Sequence, residues 1–357
     1  MCDYDKPFRT YDEQISYLKT CHGLDIHDAD FARRVLRSIS YYDIINGYKD
    51  SFMEGDKFKP HISIEFLYQF YSIDREFQDL LFNQILLIEN HFKTELAYVL
   101  AKDFGVHELD YLAKKNFLPK HNKIYFDTEL RKITSIYNPV NNLPIPQPTR
   151  HYLKNHNHIP PWILFKNISF GTAINLFQLM KPQQKRYVTN ALIPSDTLAY
   201  KQKVEFLING LNLSRRCRNT IAHNLKFISF KEHKNKLSAK SAKALFAPCL
   251  LSWTDISDFH RGLNDIYAAL NICLYIVPVC NPSITNSFCN RLLQVMVPQD
   301  STSIEFRKKG IFDSYAMAAN LPANLAERIM AYKRCIANSK WRIVKLSATP
   351  LRGELSS

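Results

Sequence analysis

The stretch from Ser63 to Phe104 constrains the fold most. Leu67, Phe70, Phe77, Leu81, Ile85, Ile88 and Phe92 recur at roughly three- and four-residue spacing before Gly105, the period at which one face of an α-helix is apolar. One long helix or two consecutive helices satisfy the pattern, and in either case the element belongs at the centre of a core. Composition points the same way. A chain of 357 residues, 46% hydrophobic and 13% aromatic, is long enough for one large domain or two ordinary ones. Nine glycines are too few for glycine-rich nucleotide loops or a many-turned β architecture, so an all-α fold is expected.

Local signals divide the rest of the chain. Thr10 and Glu13 stand at capping-box spacing and predict a helix through Lys19, with Gly23 as its stop. A second helix is expected near Asp28, and Asn46-Gly47 reads as a turn because both residues tolerate positive φ. Six prolines between Asn138 and Pro161 rule out a regular hydrogen-bond ladder and predict a loop or hinge. Helices are then expected from Trp162, from Thr172 after Gly171, and from near Ser195 onward. Helices recur in the last third, while "IEFRKKG" and "SKWRIVKLS" suggest short strands or a basic tail. These signals set the boundaries 1–137, 138–161, 162–295 and 296–357.

The N-terminus opens with acids where a signal peptide needs basic and then apolar residues, so a cytoplasmic location is expected. The most apolar run, Ile266 to Cys280, is too short for a membrane span and contains Asn271 and Pro278; it reads as a buried helix, and no membrane partner is expected. Eight cysteines are scattered without a C-x-x-C pair, which suggests packing thiols and neither a zinc ribbon nor a redox pair. No metal or other cofactor is expected. The net charge of +14 is uneven: Lys201 to Lys240 holds ten Lys/Arg against Glu205 and Glu232, and Ser303 to Ser357 ten against four acids. Such a charge attracts polyphosphate and favours nucleic acid as a partner.

The densest polar cluster is "SRRCRNTIAHN", Ser214 to Asn224. On a helix at 100° per residue, Leu207, Leu211, Ser214, Arg218, Ile221 and Leu225 share one stripe, while Asn212, Arg216, Asn219 and His223 share another. Asn219 and His223 are therefore i,i+4 neighbours, spaced for the amide to orient the imidazole. Arg218 lies about 140° round from His223. An arginine on an apolar stripe is either buried against a carboxylate or set at an interface, and Glu89, beside the apolar face of the long helix, is a candidate partner. By chemistry alone the cluster fits a structural cap and salt-bridge network as well as it fits a catalytic group.

Arg218-Asn219-Thr220-Ile221-Ala222-His223 resembles the R-polar-x-x-x-H motif of HEPN-type ribonucleases. Around it, "KPFRTYDEQISYL", "ISYYDIINGY", "ENHFKTELAY", "HYLKNHNHIPPWILFKNISFGT" and "RNTIAHN" follow one another as in the AbiD/AbiF-like abortive-infection proteins of bacteria, a resemblance covering roughly residues 5 to 280. It implies a HEPN-like helical bundle with additional helices and a basic C-terminal extension, a role in phage defence, and RNA as substrate. Carried over by position, Arg218 and His223 match the catalytic pair and Asn219 the intervening polar residue. The flank departs from the pattern: many such proteins continue with a second histidine and a basic residue, and this chain reads Asn224-Leu225-Lys226.

RNA carries its own nucleophile, so a protein need only deprotonate the 2′-hydroxyl, stabilise the phosphorane and protonate the 5′-oxygen, leaving a 2′,3′-cyclic phosphate. An imidazole titrates near neutrality and suits the proton transfers; a guanidinium suits the phosphorane. One histidine hardly serves both sides of the phosphorus, and other HEPN nucleases set two motifs across a two-fold axis, which implies a homodimer. Arg215, Arg216, Lys226, Lys308, Lys309 and Arg342 are the candidate RNA contacts. RNA as substrate, a small noncoding RNA as regulator and a second copy of the chain are the expected partners; the alternative is a non-catalytic scaffold that holds a structured RNA or a protein. Arg150 to His156 also fits a loose R-x5-H spacing, but in the proline-rich loop, and Cys217, Tyr41, Tyr42 and Tyr48 read as packing.

Overall fold

The chain is mostly helical in a computed structural model that describes residues 6–118, 123–139, 144–296 and 303–337. The expected capping box is formed, Thr10 N donating to Glu13 Oε2 (2.7 Å) and Glu13 N to Thr10 Oγ1 (3.3 Å), and it opens α1 (Tyr11–Thr20). Asp28 caps α2 (Ala29–Ile39) by accepting from the Phe31 amide at 2.9 Å.

The periodic stretch is one helix, α3 (Ile64–Phe104), capped by Ser63 and ended by Gly105 at φ +89°. Its 41 residues span about 60 Å at 1.5 Å each. All the residues that carry the periodicity, from Leu67 to Phe92, are fully buried. Around α3 pack α4 (Phe170–Leu179), α5 (Pro182–Leu192), α6 (Tyr200–Ala222), α7 (Ile266–Cys280), α8 (Pro282–Met296) and α9 (Ser303–Ala318), and α10 (Leu325–Ala337) closes against α8. The buried side chains form one hydrophobic cluster reaching from Ile15 to Tyr332. α7 is buried without interruption from Ile266 to Leu274, as its composition requires. Among the described residues no helix is long and apolar enough to cross a membrane, and the strands are two-residue segments, Met53–Glu54 paired antiparallel with Lys57–Phe58.

Several expectations are corrected. Asn46-Gly47 is no positive-φ turn: Tyr42–Asn46 form a π-helical turn and Gly47 follows at φ −58°. Glycine is required there for space, because a Cβ would overlap the Asp43 carbonyl oxygen. α6 starts at Tyr200 and not near Ser195; the Ser195 hydroxyl instead accepts from the Thr197 amide (3.3 Å), a local bond that competes with helix. The proline-rich stretch contains a helix, Thr149–Asn155, which forms where no proline falls between Pro148 and Pro160. "IEFRKKG", expected as strand or tail, lies in α9, and "SKWRIVKLS" lies outside the described residues. Of the three tyrosines expected in the core, Tyr48 is buried, Tyr41 half-buried and Tyr42 exposed.

A buried carboxylate ties distant parts of the chain to α3. Asp74 accepts from Tyr48 Oη (2.8 Å), from Gln78 Nε2 (2.9 Å) and from Tyr315 Oη of α9 (3.0 Å). Burial raises its carboxyl to about 6, against the pull of these three bonds and of Arg75. An acid whose folded value exceeds its ordinary 3.8 holds its proton more tightly when folded. Its contribution to stability is therefore greatest below about pH 4, falls as the pH rises towards 6, and is level above that. The fall is of order 3 kcal/mol. Urea unfolding of wild type and Asp74→Asn from pH 4 to 7 should show the difference in unfolding free energy moving in favour of the variant by about 2–3 kcal/mol as pH rises; a difference independent of pH would contradict the assignment.

Candidate functional site

The end of α6 is fastened to α3 at two points. Arg218 Nη2 donates to Glu89 Oε2 at 3.3 Å, and Arg75 Nη1 donates to Asn224 Oδ1 at 3.0 Å. The two helices are thus antiparallel here. Arg75 and Glu89 are fourteen residues apart, which places them within about 40° of one another on α3, so a single stripe of the long helix grips both sides of the motif. Arg75 also donates to Gln78 Oε1 (3.0 Å), and Gln78 in turn donates to Asp74, linking Asn224 to the buried carboxylate.

Glu89 is the partner anticipated for Arg218. It also accepts from Lys93 Nζ at 2.7 Å, and Lys93 donates to the Ile168 carbonyl at 2.7 Å. All three charged side chains are mostly buried, with 14% exposure at Glu89 and Lys93 and 25% at Arg218, so the cluster is screened far less than a surface pair. Arg218 Nε is buried without a hydrogen-bond partner.

His223 is the C-cap of α6 and not an interior residue (φ −96°, ψ 11°). Its amide donates to the Asn219 carbonyl at 3.0 Å, while the expected side-chain bond between Asn219 and the imidazole is not formed. Asn224 takes φ +50°, and Asn224 N bonds Ile221 O (3.0 Å) and Leu225 N bonds Thr220 O (3.0 Å). This pair of bonds is a Schellman closure, which favours glycine or asparagine at its left-handed position. Asn224, where the flank departs from the motif's usual continuation, is thus the residue that turns the chain and leaves His223 exposed. Arg218 and His223 share no hydrogen bond or ion pair with one another.

The candidate RNA contacts are unequal. Arg216 is exposed but pairs with buried Glu232 at 3.2 Å. Arg215 is half-buried with Nε unpartnered, and its chain lies beside Gly171, where a Cβ would come 3.5 Å from Arg215 Cδ. Burial, with Arg216 beside it, lowers the Arg215 pKa. Lys226 pairs with Asp50 at 2.5 Å. Lys308 and Lys309 lie in α9, their side chains beyond the described set, and Arg342 lies outside the described residues. Cys217 is fully buried and burial pushes its thiol up, as a packing residue. Arg150 lies in the Thr149–Asn155 helix, but His156 is its C-cap in extended backbone (φ −135°, ψ 160°), so the two do not share a helix, and the His156 ring packs on Tyr152 (ring centroids 4.6 Å). Among the described residues no group of three or more His, Cys, Asp or Glu is placed to hold a metal ion.

A family model described as Abi-like protein matches residues 34–229, more than half of the 357 residues. The chain belongs to the Abi-like protein family. The match covers α3 and the whole of α6 with its Schellman closure, and it ends before α7. It is narrower than the span of the sequence resemblance, and it makes an abortive-infection role the family-level reading of this Abi-like chain. Searches of curated proteins and of solved structures gave no match.

Arg75 and Asn224, which fasten the motif from outside it, carry no signal in the sequence because they are 149 residues apart. The Glu89 pair is open to direct test. A double-mutant cycle of Glu89→Ala and Arg218→Ala, read by urea unfolding, should give a coupling of about 1–2 kcal/mol; additive losses would show that the contact is not formed in solution.

Proposed function

We propose that this Abi-like chain is a HEPN-type endoribonuclease of anti-phage defence that cleaves RNA through its own 2′-hydroxyl, with His223 moving protons and Arg218 bearing the phosphorane charge. One observation carries the reading. The last turn of α6 presents an exposed imidazole at its cap, while the guanidinium one and a half turns back keeps a buried N–H without a partner. An unsatisfied buried donor costs about 1–3 kcal/mol, an expense that a phosphate oxygen would relieve. RNA supplies the nucleophile, so the scheme routes no step through a metal. Asn219 is assigned to the site as the polar residue between the two.

Among the described residues no hydrogen bond or ion pair joins the His223 ring to another side chain, and a single imidazole cannot act as base and acid on opposite sides of the phosphorus. A homodimer that brings two copies together across a two-fold axis supplies the second. Arg218, on the other side of α6 from His223, then reaches the shared site from the neighbouring stripe. Arg215, Arg216, Lys226, Lys308, Lys309 and Arg342 would hold the strand. The second reading, a scaffold that binds a structured RNA without cutting it, is favoured by Glu89, which offsets the Arg218 charge in the isolated chain.

Incubation with total RNA in EDTA separates the two. Wild type should cleave, and His223→Ala and Arg218→Ala should each lose at least 100-fold, the scale of general acid–base and electrostatic contributions. Equal cleavage by all three proteins would place the activity elsewhere, and an uncleaved RNA shifted in a salt-dependent way would select the scaffold. Full activity in a monomer would overturn the shared site.

A further inference from the structure

A cavity opens beside the first helix of the chain. It occupies about 730 Å³ between the start of α1 and the π-helical turn, within the size range of small-ligand sites. Its lining is of two kinds. Lys6, Arg9 and Lys49 supply positive charge, and Tyr17, His22 and Tyr41 supply ring faces. None of the three cations has a carboxylate partner within ion-pair distance among the described residues.

The rings differ in availability. The Arg9 guanidinium sits over Tyr17 at 4.1 Å from its centroid, and His22 meets the same ring edge-on at 4.9 Å. His22 is itself fixed by a 2.6 Å bond between Nδ1 and the Asp56 carbonyl. Tyr41 is half-buried, yet among the described residues its ring meets no other ring and its hydroxyl no hydrogen-bond partner. Two acids also line the cavity, Asp50 and Asp56. The first is tied to Lys226 at 2.5 Å, which leaves Asp56 alone against three cations. The segment before α1 is held in place by Gln14 Nε2, which donates to the Arg9 carbonyl at 2.9 Å.

We propose that this cavity is a nucleotide subsite, taking a base against Tyr41 and the attached phosphate against Lys6, Arg9 and Lys49. Unpaired cations beside an unstacked ring are the combination that nucleic-acid strands use, since phosphates give charge and every base has a π-face. The cavity also adjoins the motif. Asn46 lines both this cavity and a crevice of about 50 Å³ that Asn224 and Lys226 line. A strand seated here has a path past Asn46 to Asn224, the residue that follows His223. The subsite rests on the reading of RNA as the ligand only in this last step; a free nucleotide offers the same chemistry.

The test is binding by the full chain. A 5′-phosphorylated RNA decamer, adenosine 5′-monophosphate and inorganic phosphate are titrated into wild type, Tyr41→Ala and the double variant Arg9→Glu/Lys49→Glu, with helicity and melting checked in each. Wild type should bind the decamer; Tyr41→Ala should weaken it about tenfold, matching a stacking contribution of 1–3 kcal/mol per base, and the double variant should weaken it more and flatten its salt dependence. Monophosphate bound as tightly as the decamer, and lost in the same variants, would identify a free nucleotide as the source. Folded variants that bind both ligands like wild type would overturn the subsite, as would inorganic phosphate binding as tightly as either. Cleavage by wild type with unchanged binding in the variants sinks this subsite alone, whereas variant-sensitive binding without any cleavage sinks the ribonuclease reading and leaves the subsite standing.

Discussion

α3 has to stay unbroken for the rest of the molecule to be placed. Its apolar stripe is the floor on which α4 to α9 pack, and its polar positions are few and specifically used. Asp74 gathers the segment just after the π-helical turn and α9 through the hydroxyls of Tyr48 and Tyr315. Glu89, further along, holds Lys93 and Arg218. Both carboxylates are costly to bury, and both are offset by donors drawn from elsewhere in the chain. The long helix therefore sets the position of the motif as well as the core.

How much of this could be read from the residues depended on whether the signal was local. The period of Leu67 to Phe92 gave α3, and the capping box at Thr10 gave α1, because both patterns are complete within a few turns of chain. Gly47 is ambiguous in the sequence because glycine has two uses: the missing Cβ is visible there, but not whether positive φ or the close approach of Asp43 demands it. The start of α6 at Tyr200 is not marked in the sequence, because a serine hydroxyl can cap a helix or, as Ser195 does, close a short turn. The Thr149–Asn155 helix fits the proline-free gap between Pro148 and Pro160, which the proline-rich composition of the whole stretch conceals. Arg75 with Asn224, and the cavity before α1, are products of tertiary packing and leave no mark on either segment.

The motif itself came through with its geometry sharpened. Placing Asn219 and His223 on one face was right for the backbone, where an amide–carbonyl bond joins them. It failed for the side chains, since the helix ends at His223 and the Schellman closure turns the imidazole out to solvent. Arg218 is at once a structural and a candidate catalytic residue: Glu89 takes one of its donors, and another buried donor is left open. Structural and chemical roles are not rivals at such a position, because a carboxylate that fixes a guanidinium also pre-positions it for charge that develops later.

Phosphoryl chemistry that uses the RNA's own 2′-hydroxyl leaves a signature in the products. The ends of RNA cut by the purified chain, resolved by mass spectrometry, should be 2′,3′-cyclic phosphates and 5′-hydroxyls, and absent from reactions with His223→Ala. Ends bearing 3′-hydroxyl and 5′-phosphate groups, or cyclic phosphates produced equally by the variant, would contradict the account.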